Sequence, residues 1–529
     1  MKRTAAVLAL VFVFLSAACL ITDRTVSGAS VVENSWVTKA PMHEARMGLG
    51  IAVVNGKIYA IGGSSRTGTP PYTGGIVGTN EEYNPETNQW TIKASMPTPR
   101  ANFRVEVVQN KIYCIGGNIE DGPDTQANEA YDPATDSWHT KAPLPTPRDS
   151  FTTIVYNNKI YVIGGMTGYN STSGFWMFTG ATEVYDPALN KWENKASMLN
   201  AVYPESSTAI DDKIYVICGS TTYASSISIT AVYDEDANTW TNRASMPIVK
   251  HGASVAMDDK IYFIGGSYEG SLSDPNYDQT FLTRLQIYDP STNTWSEGAR
   301  PPNGGVSQRS AFATTGVMAP RRIYVVDNDL RIYNPKKNEW TLGPNKTTTR
   351  DFMGVAVLND KIYAIGGLTS VWPSGFSSQM PTLTPYATNE VYTPASYGTP
   401  DPNYILETTP PNIKVTSPSD RTYIESSVPL TFSLDKQVTW VSYSLDEKQN
   451  ISLTGNSTLA NMTNGAHRIT LFANDTFGNM GASETVTFTV SVPELFPVVP
   501  VTAASAAVVV ACAGLLLYHR KHRKEAQQT

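Results

Sequence analysis

The sequence predicts an all-β chain built from seven copies of one four-stranded unit. The heptapeptide KIYAIGG (57–63) returns as KIYCIGG (111–117), KIYVIGG (159–165), KIYVICG (213–219), KIYFIGG (260–266) and KIYAIGG (361–367), with a degenerate copy RIYVVDN at 322–328. Six copies are followed, after loops of varying length, by octets with Tyr and Trp seven apart: YNPETNQW (83–90), YDPATDSW (131–138), YDPALNKW (185–192), YDEDANTW (233–240), YDPSTNTW (288–295) and YNPKKNEW (333–340). Between the chain ends no long run carries a 3.6-residue apolar period, and 10% of residues are aromatic.

Strand a comes first in each unit, as in GLGIAVVN, and a two-residue turn such as NG, NN, DD or ND leads into strand b, the heptapeptide. The constant Tyr-to-Trp spacing is that of a tight hairpin: strand c ends at the Tyr, strand d begins at the Trp, and Asp/Asn-Pro with Asn/Asp supplies the turn. The slack between heptapeptide and octet is a free b–c loop. One such sheet cannot bury both faces alone, so units repeating every 40 to 60 residues or so stack radially about an axis. The double glycine closing strand b then keeps side chains out of a crowded junction and permits positive φ.

These residues resemble the kelch family of β-propellers, whose repeat carries a double glycine, then Tyr, then Trp. The resemblance spans roughly 36–394 and implies a seven-bladed kelch propeller over 31–394. The seventh unit, EVYTPASYGTP from Glu390, has Thr399 where the Trp would stand, while NSW at 34–36 is an orphan piece of strand d. The N-terminal strand is therefore expected to complete the last unit and remove an open edge. The sixth unit departs most, with Asp327-Asn328 in place of the glycines.

Residues 395–411 read as a Pro/Thr-rich linker. Alternating strands over 412–492 predict a β-sandwich resembling Ig-like modules of prokaryotic and archaeal surface proteins, without their Cys pair, as a spacer. Residues 1–30 read as a secretory signal, cleaved after Ala18 or near Gly28–Ser30, with lipidation at Cys19 as the alternative. The uncharged stretch 496–518 is long enough for a transmembrane helix, and the basic tail 519–529 places that end on the cytoplasmic side. The expected location is thus a single-pass cell-membrane protein with propeller and Ig-like module extracytoplasmic. Cys114 and Cys218 lie in non-adjacent copies and read as buried thiols. The net charge of −7 is spread along the chain without an interior basic block, which argues against nucleic acid.

Candidate chemistry falls on the face that carries the b–c and d-to-a connections. Arg46, Arg100, Arg148 and Arg350 each stand thirteen residues before a strand-b Tyr, with Arg309 displaced slightly; Val202 and Val249 take the place in units four and five. Two readings stand: a cationic arc for carboxylates, sugars or acidic peptides, or a repeat element bonding neighbouring carbonyls. Loop aromatics Tyr169, Phe175, Trp176 and Phe178, with Trp372, Phe376 and Tyr386, join the candidate ligand-binding set. Sequons begin at Asn170, Asn345, Asn450, Asn456, Asn461 and Asn474, either glycosylation sites or accidents of Asn/Thr-rich turns.

The expected function is a non-catalytic, membrane-anchored recognition module for a glycan or protein ligand, without a cofactor. A purely structural envelope component also fits. The enzymatic alternative is a carbohydrate-active kelch protein. For a copper oxidase, His43, His139 and His251 with Cys114 and Cys218 form no evident ligand set, and no sialidase Asp-box occurs. For a cofactorless sugar isomerase, Glu44, Glu205 and Glu269 are the available acids.

Overall fold

A computed structural model describes residues 32–493 and 510–520, except 121, 123–124, 171–174, 211–212, 223–224, 248–250, 268–283, 303–310, 328, 372–379, 402–409, 437, 449, 454 and 476–479. The expected signal, Arg309, Trp372, Phe376 and most of 496–518 lie outside the described residues.

Each heptapeptide forms strand b of a four-stranded antiparallel sheet. Sheet 1 runs Gly50–Val54, Lys57–Ile61, Asn80–Asn84, Gln89–Lys93, and sheet 2 runs Arg104–Val108, Lys111–Ile115, Asn128–Asp132, Ser137–Thr140. Sheet 3 is Thr152–Tyr156, Lys159–Ile163, Thr182–Asp186, Lys191–Lys195; sheet 4 is Tyr203–Ile210, Lys213–Thr222, Ser225–Asp234, Thr239–Asn242. Sheet 5 is His251–Met257, Lys260–Ser267, Leu285–Asp289, Thr294–Glu297; sheet 6 is Ala311–Ala313, Ile323–Val326, Leu330–Asn334, Glu339–Leu342. Sheet 7 takes strands a to c from Gly354–Leu358, Lys361–Ile365 and Asn389–Thr393, and its outer strand from Ser35–Lys39 at the other end of the chain. There Trp36 lies opposite Tyr392, the register in which Trp90 faces Tyr83 in sheet 1.

Apolar clusters lie between consecutive sheets from 1 to 7, and a further cluster joins sheet 7 to sheet 1 through Tyr363, Ile365, Val391, Ile58, Ala60 and Tyr83. This explains why strand b is apolar on both faces: Ile58 and Ile61, and their counterparts Ile112 and Ile115, have no exposed surface.

The octet has a second duty. Its fifth residue after the Tyr sits in the left-handed region, as at Asn190 (φ 50°) and Asn293 (φ 53°), where Asn and Asp are tolerated. The Asn190 side-chain oxygen accepts from Tyr185 Oη at 2.8 Å and from the Ala142 backbone N–H at 2.8 Å. Trp192 Nε1 donates to the carbonyl of the same Ala142 at 2.7 Å. One residue leaving sheet 2 is thereby held from both sides by sheet 3. The pattern recurs with Asn88, Asp136, Asn238, Asn293 and Asn338. At sheet 7 the orphan fragment supplies two of the three bonds: Asn34 Oδ1 accepts from Tyr392 Oη at 2.9 Å, and Trp36 Nε1 donates to the Pro344 carbonyl at 2.9 Å.

The glycine pair is required where sheets meet. Gly62 has φ +57° and a Cβ there would lie 2.6 Å from the Arg100 carbonyl oxygen of the next repeat; Gly366 repeats this against Arg46.

The C-terminal unit has its own core, including Val428, Leu430, Ile469, Leu471 and Phe488. One sheet holds Ile413–Ser417, Val428–Leu434 and Ser457–Leu459, and the other is centred on Val438–Leu445 and Gly465–Asp475. Among the described residues no helix is long and apolar enough to cross a membrane. The part of 496–518 that is described is helical from 510 to 518 and continues to 520.

Asn190→Ala leaves the buried Tyr185 hydroxyl and the Ala142 N–H without their acceptor, and should cost about 1–3 kcal/mol in chemical denaturation. Asn34→Ala removes only the acceptor of the Tyr392 hydroxyl, so it should cost less than Asn190→Ala, about 1 kcal/mol in the same measurement.

Candidate functional site

The four described arginines of the expected surface arc are inside the protein. Arg46, Arg100 and Arg148 have no exposed surface and Arg350 has 1%. Each reaches a strand-b carbonyl of its own sheet: Ala60 at 3.3 Å, Cys114 at 3.1 Å, Val162 at 3.2 Å and Ala364 at 2.9 Å. Each also pairs with a buried strand-c glutamate: Arg46 with Glu81 at 2.9 Å, Arg100 with Glu129 at 3.1 Å, Arg148 with Glu183 at 2.6 Å, and Arg350 with Glu390. Burial lowers the proton affinity of the Arg46 and Arg148 guanidiniums, and the paired carboxylates work against it. These side chains tie strands together and present no guanidinium to a ligand, so the carbonyl-bonding reading is the one the geometry supports.

The signal for this was present in the repeats. The glutamate stands two residues before the octet Tyr in sheets 1, 2, 3 and 7, which are the sheets with the regularly spaced Arg. Where Val202 and Val249 replace the Arg, the position holds Ala231 and Gln286. Sheet 6 inverts the charge. Arg331 stands there, 3% exposed, with Nη1 3.9 Å from Asp327 and Nη2 3.6 Å from Asp329, and its Nε donates to the Pro302 carbonyl at 2.9 Å. Lys346 occupies the place of the buried Met42, Met96, Leu144, Met198 and Met246; it is buried and donates to the Asp327 carbonyl. Burial, then the nearby Arg350 charge, pulls its amine down to about 8.

Two residues beyond the Arg, the chain passes the inner rim of the loop-bearing face in the left-handed region. The residues are Gly48 (φ 60°), Asn102 (φ 55°), Ser150 (φ 51°) and Phe352 (φ 53°). Asn102 N–H donates to the Gly48 carbonyl at 3.1 Å and Gly48 N–H to the Phe352 carbonyl at 3.2 Å, linking three repeats along this rim. Phe352 is 69% exposed, and Asp351 beside it is exposed. Sequence reasoning passed over Phe352; its misfit with Gly, Asn and Ser at one repeat position was the available signal. Next to Gly48, a depression of about 420 Å³ is lined by Met47, Ile76, Ala101, Asn102 and Ile119 among others.

Outside the rim stand the loop hairpins. In Met166–Asn170 and Phe175–Phe178, Tyr169 lies opposite Trp176 with ring centroids 5.3 Å apart, and the two are 53% and 38% exposed. Leu368–Val371 pairs with Thr382–Pro385, and the b–c loop of sheet 1 bonds to that hairpin through Gly68 and Leu383. Asn345, Asn450, Asn456 and Asn461 are exposed, Asn474 is partly buried, and the Asn170 side chain lies outside the described residues. The Asn456 oxygen accepts from the Phe432 N–H at 2.9 Å.

Other candidates are engaged within the fold or accessible without a converging set. His43 Nδ1 lies 2.7 Å from Glu81, and Glu44 accepts from Thr79 at 2.6 Å. Cys114 is a free, buried thiol pushed up to about 12, chiefly by burial, and so is inert. Among the described residues no cluster of three or more His, Cys, Asp or Glu could hold a metal ion. On inner strand a of sheet 2, burial pushes the Glu106 carboxyl up to about 6 beside Thr153 and Arg104.

Comparison with known proteins agrees with the repeat. Residues 45–97 match the Kelch motif and residues 103–327 match the KLHDC2/KLHL20/DRC7 Kelch-repeats domain, so the chain carries kelch repeats of the β-propeller type. It is 42% identical to the human Influenza virus NS1A-binding protein over 79 residues, 15% of this chain and 11% of that one. It is 38% identical to human Kelch-like protein 15 over 92 residues, 17% of this chain and 15% of that one. The matched segments thus span less than a fifth of these curated relatives. The solved structure of YjhT aligns with 66% of this chain and 96% of its own at 16% identity and a TM-score of 0.40.

Glu183→Gln leaves Arg148 buried without its counter-charge and should lose about 3–5 kcal/mol in urea unfolding. The double change Arg148→Val with Glu183→Ala, which copies the pair in sheet 4, should recover most of that loss.

Glu106 holds its proton more tightly folded than unfolded, so its burial costs nothing below about pH 4.5 and progressively more as pH rises to about 6. Glu106→Gln should therefore flatten stability across that window and raise it at pH 7 by at most about 2 kcal/mol, measured by denaturation at several pH values.

Proposed function

We propose that the seven sheets are the blades of a kelch propeller displayed outside a cell, recognising a glycan or protein ligand without catalysis. The C-terminal β unit serves as an Ig-like spacer, and 496–518 serves as the membrane anchor. The uncharged 23-residue run and the HRKHRK that follows support the anchor. Exposed Asn450, Asn456 and Asn461 suit glycosylation of the spacer.

The observation that carries the binding role is the Tyr169/Trp176 hairpin. Two large rings stand exposed on a strand pair that lies outside the seven four-stranded sheets, the arrangement by which aromatic anchors contribute most of an interface's energy. Nearby, the arginines that would compete for the role are withdrawn into the sheets. The relative called Influenza virus NS1A-binding protein is named for binding a protein, which favours a protein over a glycan.

Tyr169→Ala with Trp176→Ala should weaken retention of the ligand found on a protein or glycan array by about tenfold or more, with the thermal midpoint unchanged. Retained binding would remove the hairpin from the interface.

A further inference from the structure

We infer that the inner rim at Phe352 is a docking point for a short basic segment of a protein partner that also carries an apolar side chain. This rests on the recognition reading above and names a contact separate from the Tyr169/Trp176 hairpin.

The first argument is conformational. A bulky side chain in the left-handed region is strained; the equivalent rim positions relieve that strain with Gly48 and Asn102, and Ser150 carries a much smaller side chain than Phe352. Burial offsets nothing, because Phe352 is 69% exposed. A strained, solvent-facing aromatic ring gains its return only when something covers it.

The second argument is space. The b–c connection of sheet 6, the neighbour of Phe352 on one side, spans only 327–329, whereas that of sheet 1 spans 62–79. On the other side, the rim leads by the Phe352–Gly48–Asn102 backbone bonds to the 420 Å³ depression, whose lining mixes apolar Met47, Ile76 and Ile119 with polar Ser64, Arg66 and Asn118. An extended peptide could lie from Phe352 into that depression.

The third argument is charge. Among the described residues Asp351 beside the ring is exposed, whereas Arg331, Lys346 and Arg350 are buried, and Arg66 at the depression is already paired with Glu120. The described surface at the ring thus offers a carboxylate without a competing free cation, and a Lys or Arg next to an aliphatic or aromatic residue complements it.

The test pans a random peptide library against the full chain, its Phe352→Asn and Asp351→Asn variants, and the Tyr169→Ala/Trp176→Ala variant. The wild type should enrich peptides that pair Lys or Arg with an apolar residue. Phe352→Asn should bind the selected peptide about tenfold or more weakly, with a thermal midpoint equal to or above wild type because Asn suits this φ. Asp351→Asn should weaken binding and reduce its salt dependence, and the hairpin variant should bind as wild type does. Enrichment of acidic peptides, no enrichment, unchanged binding by Phe352→Asn, or a lowered midpoint in that variant would each overturn the proposal. Loss of peptide binding in the hairpin variant alone would overturn it while leaving the recognition reading in place.

Discussion

Everything in the kelch region depends on a hydrogen-bonded clamp that joins each sheet to the one before it. An Asn or Asp held at positive φ takes two donors, the Tyr hydroxyl of its own sheet and a backbone N–H of the preceding repeat. The Trp two residues on then donates to the carbonyl of that same preceding residue. Both partners are fixed by tight-turn geometry, so the clamp sets distance and angle together. At the closing step the receiving residue is Pro344, which has no N–H, so Asn34 holds the Tyr392 hydroxyl without the second donor seen elsewhere. Closure across the two ends of the chain is thus made with one fewer bond than any clamp within it.

The clamp leaves the inner ends of the sheets to a different device. Strands b and c are buried on both faces, and the buried Arg–Glu pairs satisfy carbonyls that the glycine-rich exit from strand b would otherwise leave buried without a donor. The pairs are costly to break and inexpensive to replace together, as the Val/Ala solution in sheet 4 illustrates. In sheet 6 the same space is filled by an inverted set, Arg331 against Asp327 and Asp329, with Lys346 where other repeats bury Met or Leu. A repeat can therefore carry a cation at the glutamate position when aspartates stand beside it.

Strand order and register followed from the text because the heptapeptide and the octet each have fixed length, and their side chains face inward at every position that matters. The closing strand was readable for the same reason: Asn34 and Trp36 have the spacing of Asn88 and Trp90. The location of the arginines was harder. Thirteen residues upstream of a Tyr could be rim or interior, and only the glutamate two before the octet Tyr, present and absent in step with the regularly spaced Arg, separates these readings. The loop hairpins could not be read, since Met166–Asn170 (MTGYN) and Leu368–Val371 (LTSV) are short and carry no apolar alternation. Phe352 is legible only by aligning the repeats, where it stands against Gly48, Asn102 and Ser150; the positive φ belongs to the turn and a Phe read alone does not announce it.

The face proposed for recognition is the surface left over once the clamp and the charge pairs have used the rest: hairpins outside, left-handed rim residues inside. That division holds only if the first strand truly seals the last sheet. Hydrogen–deuterium exchange on Asn389–Thr393 tests this most directly. These amides should be protected as strongly as Thr182–Asp186 in sheet 3, and should lose that protection when 32–39 is deleted, while sheet 3 keeps its own. Unchanged protection of Asn389–Thr393 in the deleted chain would contradict closure by the N-terminal strand.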